Sequence, residues 1–420
     1  MLDLRYVCDN LDEVCRKLAR RGMDLDLSKL VELSGKRLKA IKSGENLKAK
    51  RNKITDRVAK LKMQKLDATE LIEQSKKLGE QIKKQDSALL KTEQKIKDIL
   101  VMLPNLPSDC VPFGADESQN VEVKKHLEPT KFAFQPKPHY DIAVSKNIIS
   151  FDLGAKITGS RFSVLIDKGA QLERALINFM LALQTAAGYI EIHAPVIVNE
   201  NSMFNTGQLP KFKDDMFALS GTNYYLIPTS EVSLTNLYKD SVVDIADGKP
   251  TKVCAYSLCF RKEAGSAGRD TRGLIRQHQF SKIELVKIAT PADSLNQLEL
   301  MLSDACAVLE TLELPYRVVA LCTGDLGHNS HKTYDIEVWL PSYNKYVEIS
   351  SVSVFADYQA RRANIKYRDI SGKTKLAHTL NGSGLAVGRL IAAIIENFQT
   401  ENGDVVLPKA LSKYLEFGVI

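Results

Sequence analysis

Two runs of apolar residues at heptad spacing constrain this chain more than any other feature. Leu47, Ile54, Val58 and Leu61 form the first, and Leu71, Leu78, Ile82, Leu89, Ile96 and Ile99 the second. A repeat of this kind places its apolar positions along one seam of a helix, which must be covered by another helix. Between the runs, Asp67-Ala-Thr-Glu70 has the form of a capping box, with Asp67 as the cap and Glu70 reaching back. An antiparallel helical hairpin is the simplest structure. Its charge is one-sided: residues 36–65 hold twelve lysines and arginines against Glu45 and Asp56, an excess greater than the net +7 of the whole chain. A charged helix face is most often a solubility device. A basic rod can also grip a long RNA stem through shape, phosphates and sugars without reading bases.

Leu103-Pro104-Asn105-Leu106-Pro107 marks a boundary, dividing a helical arm over 1–103 from a second domain over 104–420. The segment 104–160, rich in proline, glycine and polar residues, reads as the linker and entry segment of that domain. Leu172, Ala175, Leu176, Phe179, Met180 and Leu183 then follow helical spacing, and Gly188 ends the helix. Tyr189 to Val198 reads as a strand, with Pro195 favouring a sheet edge or bulge.

The run Phe260 to Phe280 sets Arg261, Arg269, Arg272, Arg276 and Lys262 around turn residues Gly265 and Gly268, between strands predicted over 254–260 and 279–286. Arginine offers a planar fork of donors that matches phosphate or carboxylate oxygens in pairs, so such a loop suits an anion. Three further segments carry chemistry. In Leu226-Ile-Pro-Thr-Ser-Glu-Val232, Thr229 and Glu231 share a face if the chain is extended and would suit an ammonium group on a small polar substrate. Taken alone, the same residues more readily make a helix N-cap with glutamate in the first turn. Tyr334 to Pro341 and Glu348-Ile349-Ser350-Ser351 read as strands joined by a polar turn at 342–345. Glu348 and Ser351 are hard-oxygen donors suited to magnesium, or polar residues of an exposed sheet face. Leu380 to Arg389, with glycines at 382, 384 and 388, runs into an apolar helix over 390–398. A dinucleotide fingerprint would follow an early strand in a βαβ unit, which this segment does not.

In this order the segments resemble the motifs of class II aminoacyl-tRNA synthetases, and among these the bacterial-type seryl-tRNA synthetase family. Arg261-x-Glu263 followed by Phe280 is similar to motif 2, Leu380 to Arg389 to motif 3, and the helix and strand near 168–198 to motif 1. The resemblance implies an α+β fold: a class II antiparallel β-sheet flanked by helices, with an N-terminal antiparallel two-helix coiled-coil arm. It implies an ATP-dependent ligase that activates L-serine as the adenylate and transfers it to the 3′ end of tRNA(Ser), leaving tRNA(Sec) open as a second acceptor.

For the serine site the resemblance implies Thr229, Ser230, Glu231, Glu284 and Ser383. For ATP it implies Arg261, Lys262, Glu263, Phe280, Glu348, Ile349, Ser350, Ser351 and Arg389, with Glu348 and Ser351 holding Mg2+ through ATP. Arg261, Glu263 and Arg389 would be the catalytic set, with Arg389 stacking on adenine or meeting the γ-phosphate, and motif 1 implies a homodimer. The chain departs from the family pattern where Val352-Ser353-Val354 replaces an expected Cys-Ser-Asn, and Gly327 to His331 is unusually polar.

Composition is compatible with this reading. Asp3, Asp9 and Asp12 interrupt the N-terminus, so no signal peptide is expected, and no apolar run approaches the roughly 20 residues of a membrane span. Seven cysteines without a C-x-x-C pair indicate neither a disulfide framework nor a thiolate zinc site. A cytoplasmic location is the expectation. Cys322, Asp325, His328 and His331 lie close in sequence, but no metal is assigned to them. Two alternatives remain: a paralogue that loads a carrier protein, which would lack the arm, and a non-catalytic RNA-binding protein, which would be expected to lose Arg261, Glu263 or Arg389.

Overall fold

The computed structural model describes residues 1–245, 247–264 and 272–420. Two compact units divide the chain: one comprises Leu2–Ala19 and Met23–Pro104, the other Met1, Arg20–Gly22 and Asn105–Ile420.

In the first unit, helix α1 (Ser28–Met63) and helix α2 (Thr69–Met102) pack side by side. Cross-helix pairs Arg37–Glu93 at 2.9 Å and Lys48–Asp86 at 3.0 Å give an antiparallel register. Heptad residues form the seam: Ile82 and Ile96 are buried, while Leu47, Ile54, Val58, Leu61, Leu71, Leu78, Leu89 and Ile99 are half-buried. Two helices alone cannot enclose a core, so most of the seam stays partly wet. The expected capping box does not form. Asp67 accepts from the backbone N–H and hydroxyl of Thr69, Ala68 takes the cap position, and Glu70 accepts from Gln74. A short side chain bonding two residues ahead makes a turn of its own and leaves the cap to its neighbour.

The second unit is built on eight strands: β1 (Val121–His126), β2 (Ile190–Glu191), β3 (Thr251–Phe260), β4 (Gln279–Ala289), β5 (Tyr316–Ala320), β6 (Lys332–Leu340), β7 (Lys345–Val354) and β8 (His378–Ala386). Their order is β1-β5-β6-β7-β8-β4-β3-β2, antiparallel except at the β2–β3 edge. Segment 104–160, the expected linker and entry segment, supplies edge strand β1 and the short helices His139–Ser145 and Phe151–Ile157. The strand expected over 189–198 is broken. Ile190–Glu191 pairs with β3, and Ile197–Asn199 pairs instead with Tyr224–Leu226. Pro195 lies between the two pieces and has no N–H to continue the ladder.

Side chains alternate across a strand, so one face of this sheet can be apolar and the other polar. Ile283, Leu285, Ile336, Val352 and Val354 face helices α3 (Lys168–Ala186), α4 (Ser294–Thr311) and α5 (Val387–Asn397) in one core with Leu176, Met180, Met301 and Ile391. The opposite face is left for polar residues of the same strands.

Candidate active site

A cavity of about 590 Å³ lies on that polar face. Phe280, Lys282 and Glu284 reach it from β4 at alternate positions, and Asn381 and Ser383 from β8. The period of two that buries Ile283 and Leu285 on the helix side thus aims these residues into the opening.

At one end the lining is buried and ionic. Lys282 Nζ lies 2.5 Å from Glu284 Oε2 and donates to Thr229 Oγ1 at 3.0 Å. Asn381 Nδ2 donates to Glu284 Oε1 at 3.0 Å, and Gln359 Nε2 to Glu231 Oε1 at 2.6 Å. Burial, and then the charge of Glu284, push the Glu231 carboxyl up to about 7; Gln359, Lys282 and Arg261 oppose the rise. Of the two sequence readings of Thr229 and Glu231, the extended chain with a shared face is not the one adopted; the segment is a helix start with Glu231 in the first turn. Thr229 Oγ1 accepts the Glu231 N–H at 3.1 Å. Both still line the cavity.

At the other end arginines dominate. The Arg261 guanidinium lies 5.3 Å from the centre of the Phe280 ring, and its Nε donates to the Pro228 carbonyl at 3.3 Å. Arg389, in the first turn of α5, donates from Nε to the Ile275 carbonyl at 3.2 Å and from Nη1 to the Glu348 carbonyl at 2.5 Å. The Glu348 carboxylate is 3.4 Å from the same Nη1. Burial pushes the Glu348 carboxyl up, but Arg389, Arg261 and Arg276 outweigh it and hold the group below its ordinary range. Glu263 sits at a φ of 51°, a left-handed conformation uncommon for its residue type, and its Oε2 is 3.4 Å from Arg276 Nη1.

Glu348 and Ser351 are three residues apart and would face opposite ways on a regular strand. The β6–β7 register shifts between the Ile336–Ser350 and Glu337–Glu348 pairs, and this bulge at Ile349 turns both toward the cavity with Ser353. Asp335 pairs across from Ser351, and its carboxyl is raised well above the ordinary range by burial and then by Glu348. Asp335 Oδ1 is buried without a hydrogen-bond partner. Two acids in mutual repulsion beside a serine hydroxyl fit a small divalent cation. They are too few to enclose one, so phosphate oxygens or water would complete the shell.

Residues 214–398 match the family model of the class II tRNA synthetase core domain (G, H, P, S and T), and residues 1–107 that of the seryl-tRNA synthetase N-terminal domain. A serine–tRNA ligase of Carboxydothermus hydrogenoformans is 52% identical over 417 residues, covering 99% of this chain and 98% of its own. One from Thermoanaerobacter pseudethanolicus is 50% identical over 422 residues, spanning all of both chains. This chain belongs to the seryl-tRNA synthetase family. A solved seryl-tRNA synthetase from Pyrococcus horikoshii, complexed with ATP, shares the fold at a TM-score of 0.92 and 33% identity, covering 100% of this chain and 99% of its own. The cytoplasmic serine–tRNA ligase of Naegleria fowleri, in complex with AMP, aligns at 0.86 and 27%, with coverage of 99% and 97%.

Most residues that the seryl-tRNA synthetase motifs single out do line the one cavity: Thr229, Glu231, Arg261, Glu263, Phe280, Glu284, Glu348, Ile349, Ser350, Ser351, Ser383 and Arg389. Two do not. Ser230 is buried with its hydroxyl 2.5 Å from that of Ser257, and exposed Lys262 lies 5.8 Å from the Phe217 ring centre. Gly265, Gly268 and Arg269 lie outside the described residues. Arg272 is exposed. Of the motif 3 glycines, Gly388 lines the cavity, while Gly382 and Gly384 are tightly packed against the core. A Cβ on Gly382 would lie 3.0 Å from Val352 Cγ2, and one on Gly384 3.2 Å from Leu285 Cγ. The following helix begins at Val387, earlier than expected, so Arg389 projects from its first turn.

The departures from the family pattern are absorbed differently. Val352 and Val354 are buried in the helix-side core, and Ser353, which the pattern keeps, is the one that faces the cavity. Gly327, His328, Asn329 and Ser330 do line it. Burial, and then Lys211 and Arg21, push the His328 imidazole down to about 3, so it is present as a neutral ring. Sequence reading missed Lys282, Asn381, Gln359 and Asp335. The first two were within reach, because each stands two residues from an assigned cavity residue on its own strand.

Proposed function

We propose that this chain is a serine–tRNA ligase that forms seryl-adenylate from L-serine and ATP and passes the seryl group to tRNA(Ser). The observation that carries the reading is the two-ended cavity: a buried carboxylate pair with Lys282 and Thr229 at one end, and Arg261, Arg276 and Arg389 with Phe280 at the other. Glu231 takes the serine ammonium, and Glu284, buried and already held by Lys282 and Asn381, takes its hydroxyl together with Ser383. A site built to bond a hydroxyl rejects the analogue lacking it, because its own polar groups are then left unpaired.

Arg261, at the arginine end but close enough for its charge to act on Glu231, meets the α-phosphate and serine carboxylate. Phe280 offers a flat face to adenine, Glu263 contacts the base or the phosphates near it, and Arg389 flanks the far side of the nucleotide. The serine carboxylate oxygen attacks the α-phosphorus and pyrophosphate leaves, so no protein nucleophile is needed. Positioning and charge stabilisation are the chain's contribution. Glu348 and Ser351, backed by Asp335, would hold Mg2+, which neutralises phosphate charge when bound. In the second step a terminal ribose hydroxyl of tRNA attacks the seryl carbonyl and AMP leaves.

The basic face of α1 grips the tRNA through its phosphates. Residues 1–103 serve as the tRNA-binding arm and 104–420 as the catalytic domain. Ile190 on edge strand β2, and Ile197 and Tyr224 on the separate two-stranded sheet, are exposed apolar residues suited to a homodimer contact. Among the described residues no helix is long and apolar enough to cross a membrane, in keeping with a cytoplasmic enzyme.

Charging of tRNA transcripts with radiolabelled serine tests the whole reading. Serine should be esterified to tRNA(Ser), with tRNA(Sec) tested alongside and tRNA(Ala) uncharged. Failure to charge tRNA(Ser) by a chain that forms seryl-adenylate would point to the carrier-loading paralogue instead.

A further inference from the structure

His139 belongs to no motif, lies in the segment read from sequence as a linker, and is fully buried. Its Nε2 accepts the backbone N–H of Leu274 at 3.0 Å. A nitrogen that accepts from an amide carries no proton, so the ring hydrogen is on Nδ1, which donates to Glu396 Oε1 at 2.8 Å. Glu396, fully buried on α5, also accepts the backbone N–H groups of His139 and Ser342, each at 3.0 Å, so the carboxylate is fixed on three sides. Gly273 makes room for the ring. At its φ of 80°, an added Cβ would lie 2.2 Å from His139 Nε2.

Leu274 and Ile275 form a wall of the cavity, and the Ile275 carbonyl is the acceptor for Arg389 Nε at 3.2 Å. Arg389 and Glu396 stand on the same helix. His139 therefore closes a loop from α5 through its own ring to the strap 273–276 and back to α5 at Arg389.

We infer that His139 is a positioning residue for nucleotide binding, which holds the 273–276 strap at the distance from α5 that aims Arg389 into the ATP end of the cavity. It touches neither substrate. The inference rests on the reading of the arginine end as the ATP site, and it is independent of the serine end, whose residues His139 does not contact.

ATP–pyrophosphate exchange on the full chain tests it. His139→Asn keeps a donor for Glu396 and removes the acceptor for Leu274. With a buried N–H left unpaired, the KM for ATP should rise about tenfold, while the KM for serine stays within about twofold. His139→Gln, which can return an acceptor to the Nε2 position, should recover most of the ATP affinity. KM values do not depend on the fraction of active protein, so partial folding does not confuse them. Should His139→Asn not fold, Gly273→Ala displaces the ring by other means and should give the same split.

Equal rises in both KM values, or an ATP KM unmoved in these variants, would overturn the inference while leaving the functional reading intact. No exchange by the unmodified chain would remove that reading, and the inference with it.

Discussion

Lys282 Nζ lies 2.5 Å from Glu284 Oε2, both buried and both on the cavity face of one strand. Opposite charges two residues apart on a strand share a face. Here they form the floor of the proposed serine end, with Thr229 held from the same ammonium.

Removing one partner of such a pair leaves a buried charge without compensation. Lys282→Met should cost about 3 kcal/mol of folding stability, and Lys282→Met combined with Glu284→Gln should recover much of it, since neither charge then remains. Urea unfolding of the three variants measures the coupling. Additive losses in the double variant would show that the pair is not a unit.

Glu231 gives a pH dependence whose sign follows from its environment. Its carboxyl is raised from 4.5 to about 7, chiefly by burial and then by Glu284, so the ionised form is disfavoured in the unliganded fold. A group that binds its proton more tightly when folded makes the empty protein lose stability as pH rises from 4.5 toward about 7. Serine binding has the opposite dependence, because its ammonium pairs only with the carboxylate. The KM for serine should rise as pH falls through about 7. Glu231→Gln should weaken binding and flatten the profile. An unchanged pH dependence in that variant would exclude Glu231 as the ammonium partner.

Much of this site was legible in the sequence because its residues obey local rules. Arg261, Phe280 and Glu284 sit at strand ends and alternate positions that a period of two already specifies. The heptads of the arm were legible for the same reason. Other features depend on what a neighbouring strand does. The bulge at Ile349, which turns Glu348 and Ser351 to one side, is a mismatch of register between β6 and β7 and leaves no mark on β7 alone. Ser230 lies off the cavity because the helix start turns it onto Ser257, a rotation that sequence alone does not show. His139 could not be found at all, since its partners Leu274 and Glu396 are brought to it only by the fold.

Magnesium should be read out at Glu348. Glu348→Gln keeps the shape and the backbone acceptor for Arg389 and removes one carboxylate from the hard-oxygen set. The Mg2+ concentration for half-maximal exchange should rise about tenfold or more, with the serine KM little changed. A Mg2+ titration that overlays the unmodified chain would rule out Glu348 as a ligand.

The arm makes a separable prediction. Lys50, Lys53 and Arg57 are exposed on α1. Changing the three to glutamine should leave serine activation intact, raise the KM for tRNA, and lower the slope of log KM against log salt by about 3, as expected when three phosphate contacts are lost. Equal tRNA affinity and salt slope would make the basic face a solubility device after all.

The most direct test of the central claim is ATP–pyrophosphate exchange with each of the twenty amino acids in turn, using the purified chain without tRNA. Exchange with serine, and rejection of alanine and glycine by about 10⁴ as a hydroxyl-bonding pocket requires, is the predicted result. Exchange that favours alanine or glycine, or no exchange with any amino acid, would contradict it.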